Sequence, residues 1–220
     1  MAAELRSTFE GRTMVLTISN PEHRNALGPE MYAAGVEALN VAESNADVHC
    51  VVLTGEGEAF CAGGNLQRLQ ANRQKPPEVQ AQSIENLHSW IEAIRTFPKP
   101  VIAAVEGPAA GAGFSLALAC DLIVAGEGAR FAVPPARLGI GYPAADVARL
   151  SARVGRGQAA RLLFTAATID AAEALRIGLA DLAGDPAAVA ASTGSYGPPM
   201  AGITRRGFSP SLRMVRAVSA

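Results

Sequence analysis

A membrane-spanning helix needs about 18 consecutive apolar residues. The sequence has no uninterrupted apolar run near that length. Its first twelve residues, MAAELRSTFEGR, lack the apolar segment of a secretory signal peptide. We therefore expect a cytoplasmic protein that neither crosses nor binds a membrane.

An excess of charge of one sign is also missing. Nineteen Lys and Arg residues stand against 20 Asp and Glu residues, which gives a net charge of −1. This balance argues against a nucleic-acid partner. Apolar residues make up 49% of the 220 and charged residues 18%, so we expect a sizeable core.

Cysteine is scarce, which argues against a disulfide framework. The three cysteines, Cys50, Cys61 and Cys120, are odd in number, and two of them lie in apolar runs. We interpret them as buried thiols in a reducing compartment. The cysteines and histidines show no zinc-ligand spacing, so no metal is expected.

Short apolar runs alternate with amphipathic stretches along the chain, which predicts an α/β fold of β-rich layers covered by helices. A stripe of apolar residues on the helix of residues 79–97 comprises Ile84, Leu87, Trp90, Ile91 and Ile94. Strands are predicted at 14–18, 50–54, 101–105, 122–125 and 131–133, and helices at 30–43, 79–97, from about 112, 144–153, 157–164 and 170–176.

The stretch GPAAGAGFSLALACDL, residues 107–122, places glycines directly before an apolar helical segment. It is not a dinucleotide fingerprint, because Leu116 stands where a third glycine is needed, and it is not a P-loop. The glycines bring backbone N–H groups at a helix start near Ala112 to a ligand, or they serve close packing. The residues alone leave both interpretations open.

A second glycine-rich loop, AFCAGGNL at residues 59–66, also follows a predicted strand. Two such loops could direct two backbone N–H groups at one oxygen. That arrangement is an oxyanion hole, which stabilises charge developing on a carbonyl oxygen.

Several motifs in order resemble the crotonase superfamily, the enoyl-CoA hydratase/isomerase group. They are PEHRNAL (21–27), VVLTGEGEAFCAGGNL (51–66), PKPVIAAVEGPAAGAGFSLALACDLIVA (98–125) and RIGLAD (176–181). The resemblance implies a spiral of ββα units, a homotrimer or hexamer, and an acyl-CoA substrate. Coenzyme A would be part of that thioester, and no separate cofactor is implied.

Carried onto this sequence, the resemblance assigns the two oxyanion-hole donors to the backbone N–H groups of Gly64 and Ala112. The residues that it places beside coenzyme A are Arg24, Ala26, Leu27, Ala62, Gly64, Asn65 and Leu66. The implied core covers residues 1–182. Residues 183–220 form a Gly/Pro/Ser/Arg-rich tail, atypical and shortened, in place of the family's C-terminal helices.

The sequence departs from the family where hydratases and isomerases carry acid–base carboxylates. The three corresponding positions are occupied by Ser115, Pro135 and Pro143, and the nearest carboxylate is Asp146, one helical turn later. Hydration needs a base to activate water and an acid to protonate carbon. The reaction subclass therefore stays open.

Two other side chains are candidate catalytic groups. Tyr142 resembles a tyrosine of decarboxylases in this superfamily, and a malonyl-type acyl-CoA decarboxylase would need no proton abstraction. His88 matches a catalytic histidine of an aryl-CoA dehalogenase branch, although a rim position is the alternative. Ser115 is a third candidate, and a non-catalytic acyl-CoA-binding protein remains a further alternative. Cys61 lacks an activating base and is interpreted as a packing residue.

Overall fold

The computed structural model describes residues 3–65, 70–71 and 74–185. The strands are β1 (Glu4–Glu10), β2 (Thr13–Ser19), β3 (Cys50–Gly55), β4 (Val101–Val105), β5 (Pro108–Ala110), β6 (Leu122–Ala125), β7 (Arg130–Ala132), β8 (Thr168–Asp170) and β9 (Leu182–Ala183). The helices are α1 (Pro29–Ser44), α2 (Pro77–Thr96), α3 (Ala112–Ala119), α4 (Pro135–Leu138), α5 (Ala144–Thr165) and α6 (Ala171–Arg176), with a 3₁₀ turn at Pro21–His23.

The main sheet has six strands in the order β1-β2-β3-β4-β6-β9. β1 pairs antiparallel with β2, and every other neighbour in this sheet pairs parallel. A second sheet has the order β5-β7-β8. Because β3 and β4 are parallel neighbours, the loops that follow them leave from the same edge of the sheet.

The central strands are apolar on both faces, as parallel strands covered on both sides are. Alternate residues of β2, β3 and β4 contribute to a large core that also contains Trp90, Phe114 and Phe131. The intervening residues form a smaller cluster on the opposite face, which consists of Val15, Val52, Ile102, Ala104 and Val124. This two-sided burial confirms the layered arrangement.

The apolar strands and the main helices lie within a few residues of their predicted bounds. The two helices predicted at 144–153 and 157–164 are confirmed as two helical segments of α5, which are separated by a kink at Gly155, where φ is +76° and ψ is +156°. The stripe predicted on α2 is wrong at Ile84, whose surface is 56% exposed, whereas Trp90, Ile91 and Ile94 are buried.

β1, β5, β8, β9 and α4 were not predicted. β1 has the sequence ELRSTFE, which offers few apolar residues because this edge strand is exposed along most of its length. The other four are only two to four residues long, so they carry no periodicity to detect.

The predicted core of residues 1–182 ends inside β9. β9 crosses the predicted boundary between residues 182 and 183, because Ala183 pairs with Ala125 of β6. The rest of the predicted tail, from residue 186, lies outside the described residues.

None of the helices in the described ranges is both long and apolar enough to cross a membrane.

Candidate active site

The loop that follows β3 is joined by backbone hydrogen bonds to β5, the short strand that follows β4. The N–H of Cys61 donates to the carbonyl of Pro108 at 2.9 Å, and the N–H of Ala110 donates to the carbonyl of Cys61 at 2.9 Å. A parallel β-bridge between Cys61 and Ala109 results. The two glycine-rich loops that the sequence singled out therefore lie side by side.

Two glycines allow this close approach. A Cβ on Gly113 would lie 2.3 Å from the carbonyl oxygen of Cys61. A Cβ on Gly63 would lie 2.7 Å from the carbonyl oxygen of Ala110 and 3.4 Å from the nitrogen of Ala112. Neither glycine tolerates a side chain without displacing backbone, so close packing is one reason for the glycine pattern.

Two backbone N–H groups next to these glycines have no backbone acceptor. Gly111, with φ of +53°, lies between β5 and Ala112, which is the first residue of α3. A helix leaves its first N–H groups without intrahelical acceptors. Among the described residues, the N–H groups of Gly64 and Ala112 donate to no backbone carbonyl. Close packing of the glycine stretch is thus confirmed, and presentation of these N–H groups to a ligand stays a prediction.

A third segment holds the other side of the Cys61–Gly64 loop. The N–H of Ala62 donates to the carbonyl of Arg24 at 2.9 Å, and the N–H of Leu27 donates to that of Gly63 at 2.8 Å. The segment of residues 24–27 therefore lies beside Ala62 and Gly64, and its role in binding coenzyme A stays a prediction. The side chains of Ala26 and Leu27 are buried. Leu66 lies outside the described residues.

Asn25, which sequence reasoning missed, fixes this third segment. Its fully buried side chain donates to the carbonyls of Glu56 at 2.9 Å and Ala59 at 2.6 Å, and it accepts from the N–H of Asn20 at 2.9 Å. Its φ is +58°, a conformation that asparagine tolerates better than most residues. The sequence signal for Asn25 was its place in the turn-rich stretch SNPEHRN, residues 19–25.

Ser115 and Tyr142, both predicted candidates, are in direct contact. The hydroxyl oxygens of Ser115 and Tyr142 are 2.6 Å apart, and the Ser115 hydroxyl also donates to Oδ2 of Asp146 at 2.8 Å. The Tyr142 hydroxyl lies 3.2 Å from the carbonyl oxygen of Gly111, next to Ala112. The cluster therefore adjoins the start of α3.

Asp146 supplies a carboxylate that was not among the predicted site residues. It is 2% exposed, and its Oδ1 pairs with the Arg149 guanidinium, which also lies 3.7 Å from Glu92. The sequence signal for Asp146 was its position four residues after Tyr142, in YPAAD. On α5, Asp146 lies in the first turn, so its side chain can reach back to Ser115 on α3.

Burial governs the ionisation of two groups in this region. It raises the pKa of the Tyr142 phenol, although the hydrogen bond with Ser115 opposes this shift in part, so the phenol is neutral at physiological pH. Burial also raises the pKa of the Cys61 thiol to about 12. Cys61 is thus a poor nucleophile, in keeping with its interpretation as a packing residue.

His88 shares a cavity with Asp146, the carboxylate that accepts from Ser115. It is exposed on α2 and lines a cavity of about 340 Å³ together with Glu92, Pro143, Asp146 and Arg149. The cavity thus lies between α2 and the start of α5. Among the described residues, no group of His, Cys, Asp or Glu side chains is arranged to hold a metal ion.

Comparison with known proteins identifies the family. A family model described as enoyl-CoA hydratase/isomerase matches residues 8–192. The short-chain-enoyl-CoA hydratase of Clostridium acetobutylicum is 36% identical over 179 residues, which cover 80% of this chain and 67% of that protein. Enoyl-CoA hydratase EchA19 of Mycobacterium tuberculosis is 37% identical over 172 residues, 77% of this chain and 64% of that protein.

A solved structure gives the same result. The crystal structure of an enoyl-CoA hydratase from Polaromonas sp. JS666 is 46% identical, with a TM-score of 0.85 over 98% of this chain and 90% of that one. The predicted crotonase-type α/β fold is confirmed. The chain belongs to the enoyl-CoA hydratase/isomerase family of the crotonase superfamily.

Proposed function

We propose that this protein acts on an acyl-CoA thioester through an enolate, whose oxygen accepts hydrogen bonds from the N–H groups of Gly64 and Ala112. The observation that carries the proposal is the backbone pairing of the loop after β3 with β5. Two fixed donors beside a developing oxyanion lower the barrier to its formation. Coenzyme A belongs to the substrate, and the segment of residues 24–27 with Ala62 and Asn65 would lie along it.

The Ala112 donor can be removed by proline, whose ring adds atoms at this one position and leaves the other side chains of the site unchanged. Ala112 is the first residue of α3, a position that proline occupies well because its missing N–H has no intrahelical acceptor. We expect Ala112→Pro to lower turnover of an acyl-CoA substrate by roughly 100-fold or more, the usual effect of losing one oxyanion donor. Steady-state kinetics measures this loss.

Ala171→Pro is the matched control, because Ala171 is the first residue of α6 and follows an extended cap residue, Asp170. This variant should retain wild-type kinetics, and circular dichroism should show both variants folded. An Ala112→Pro protein with wild-type turnover would contradict the oxyanion role of that N–H.

The reaction subclass is decided with two substrates. Crotonyl-CoA hydrated at ordinary enzyme rates would contradict the idea that the absence of carboxylates at Ser115, Pro135 and Pro143 matters. Carbon dioxide released from methylmalonyl-CoA, and lost in Tyr142→Phe, would favour the decarboxylase. The position of the Tyr142 hydroxyl beside Gly111 is the observation that favours this second candidate. Tight binding with neither reaction would leave a binding protein.

A further inference from the structure

We propose that Tyr142, Ser115 and Asp146 form a proton relay that performs the acid–base chemistry of the site, with Tyr142 as the group that meets the substrate carbon. This inference rests on the proposed thioester function. It supplies the proton-transfer group that Ser115 and the two prolines alone do not provide.

The hydrogen-bond geometry gives the relay a direction. Each hydroxyl has one proton to donate. When Asp146 is ionised, Ser115 donates to it, and the 2.6 Å contact requires Tyr142 to donate to Ser115. When Asp146 carries a proton, all donors reverse: Asp146 donates to Ser115, Ser115 to Tyr142, and Tyr142 to the Gly111 carbonyl 3.2 Å away.

Passing between these two arrangements moves one proton along the relay. The Tyr142 oxygen accepts a proton from the substrate carbon while its own proton passes to Ser115, and the Ser115 proton passes to Asp146. The electron pair of the broken C–H bond becomes the enolate, held by the Gly64 and Ala112 donors. The reverse steps return the proton to carbon, so no co-reactant is consumed.

The surroundings suit such a transfer. The neutral Tyr142 phenol favours a step in which the hydroxyl accepts and gives a proton together, without a free phenolate. Arg149 balances the charge of Asp146 from the opposite oxygen, and Glu92 lies next to Arg149. Asp146 also forms part of the wall of the cavity that His88 lines.

One relay that takes and returns one proton defines a reaction class. It fits a shift of a double bond within an enoyl thioester, in which a proton leaves the α carbon and returns at the γ carbon. Hydration instead needs a base for water and an acid for carbon. The relay is therefore tested with a 3-enoyl-CoA, whose conversion to the conjugated 2-enoyl-CoA takes up and returns one proton.

The test follows conversion of 3-butenoyl-CoA to crotonyl-CoA by the absorbance of the conjugated thioester. We expect Asp146→Asn and Tyr142→Phe each to lower kcat by about 100-fold or more, the usual contribution of acid–base catalysis. In Asp146→Asn the new amide oxygen can still accept from Ser115, but the amide NH₂ replaces the oxygen that pairs with Arg149, so circular dichroism checks that the variant folds. Affinity for butyryl-CoA, measured by calorimetry, should change less than about threefold.

Rates in mixtures of H₂O and D₂O provide a readout that a structural role would not alter. Movement of two or more relay protons in one step gives a curved dependence on deuterium content for the wild type. Asp47→Asn is the control, because Asp47 is an exposed carboxylate at the opposite edge of the sheet, before β3. It should match the wild type in every measurement.

The outcomes separate the two proposals. A wild-type protein that does not bind butyryl-CoA overturns the thioester function and the relay with it. Binding without isomerisation, or full activity in Tyr142→Phe, overturns the relay alone. If Asp146→Asn does not fold, the Tyr142→Phe rate and the wild-type isotope curve decide.

Discussion

At the scale of single residues, Asn25 is a buried side chain that holds the segment of residues 24–27 against the loop after β3. Both its N–H bonds end on backbone carbonyls of the loop after β3, and the side chain is fully buried. We expect Asn25→Asp to lower the free energy of unfolding by about 3 kcal/mol, because it replaces two donors with an oxygen facing two carbonyls. Urea denaturation measures this loss.

Asn86→Asp is the control for this change. Asn86 is exposed on α2, and its Oδ1 accepts from Gln82, a bond that aspartate can keep. We expect its stability to stay within about 0.5 kcal/mol of the wild type. Equal effects of the two substitutions would show that the buried amide of Asn25 is not the stabilising group.

Contacts between the side chains of the site could not be predicted from the sequence. Ser115 and Tyr142 were predicted as candidates from two separate motifs, but nothing in the sequence placed their hydroxyls in contact. The sequence identifies Asp146 as the carboxylate nearest the empty acid–base positions, but its contact with Ser115 depends on how α3 and α5 pack. Tyr142 and Asp146 are 27 and 31 positions from Ser115 in the chain, so their contacts with it depend on tertiary packing.

At the scale of secondary-structure elements, the contact of α1 with α2 depends on Gly35. A Cβ at this position would lie 2.1 Å from two atoms of the Trp90 indole ring. Trp90 is fully buried, so the ring has no room to move aside. We expect Gly35→Ala to cost about 2 kcal/mol of unfolding free energy through overpacking, measured by chemical denaturation.

Gly157→Ala is the matched substitution on another helix. A Cβ on Gly157 of α5 would meet no atom within 4 Å, so alanine should stabilise that helix by about 0.5 kcal/mol. Opposite signs for the two variants would separate packing from helix propensity. A loss of stability in both variants would contradict this explanation.

At the scale of the whole molecule, apolar strands identified the central sheet because parallel strands buried on both faces must be apolar. The edge strand β1 and the short strands escaped prediction, since exposed or very short pairings leave no pattern. The sequence motifs placed Gly64 and Ala112 on neighbouring loops, and the backbone pairing of those loops agrees with that expectation. Their hydrogen bonds to a substrate stay a prediction.

Assembly also belongs to this scale, and we propose the homotrimer or hexamer that the family resemblance implies. Phe164, near the carboxyl end of α5, is 81% exposed, and a contact between copies would cover it. Light scattering should therefore give three or six times the 22.6 kDa of one chain. Phe164→Glu should lower that mass, whereas a wild-type monomer would contradict the proposal.

The loop of residues 61–64 is tied by backbone hydrogen bonds to a segment on each side, residues 24–27 and 108–110. Such a loop cannot open alone, because opening breaks bonds to parts of the chain that are distant in sequence. The site is therefore preorganised and exists only in the fully folded chain. A thioester that binds there will bind the native state alone, so its binding free energy will appear as added resistance to unfolding.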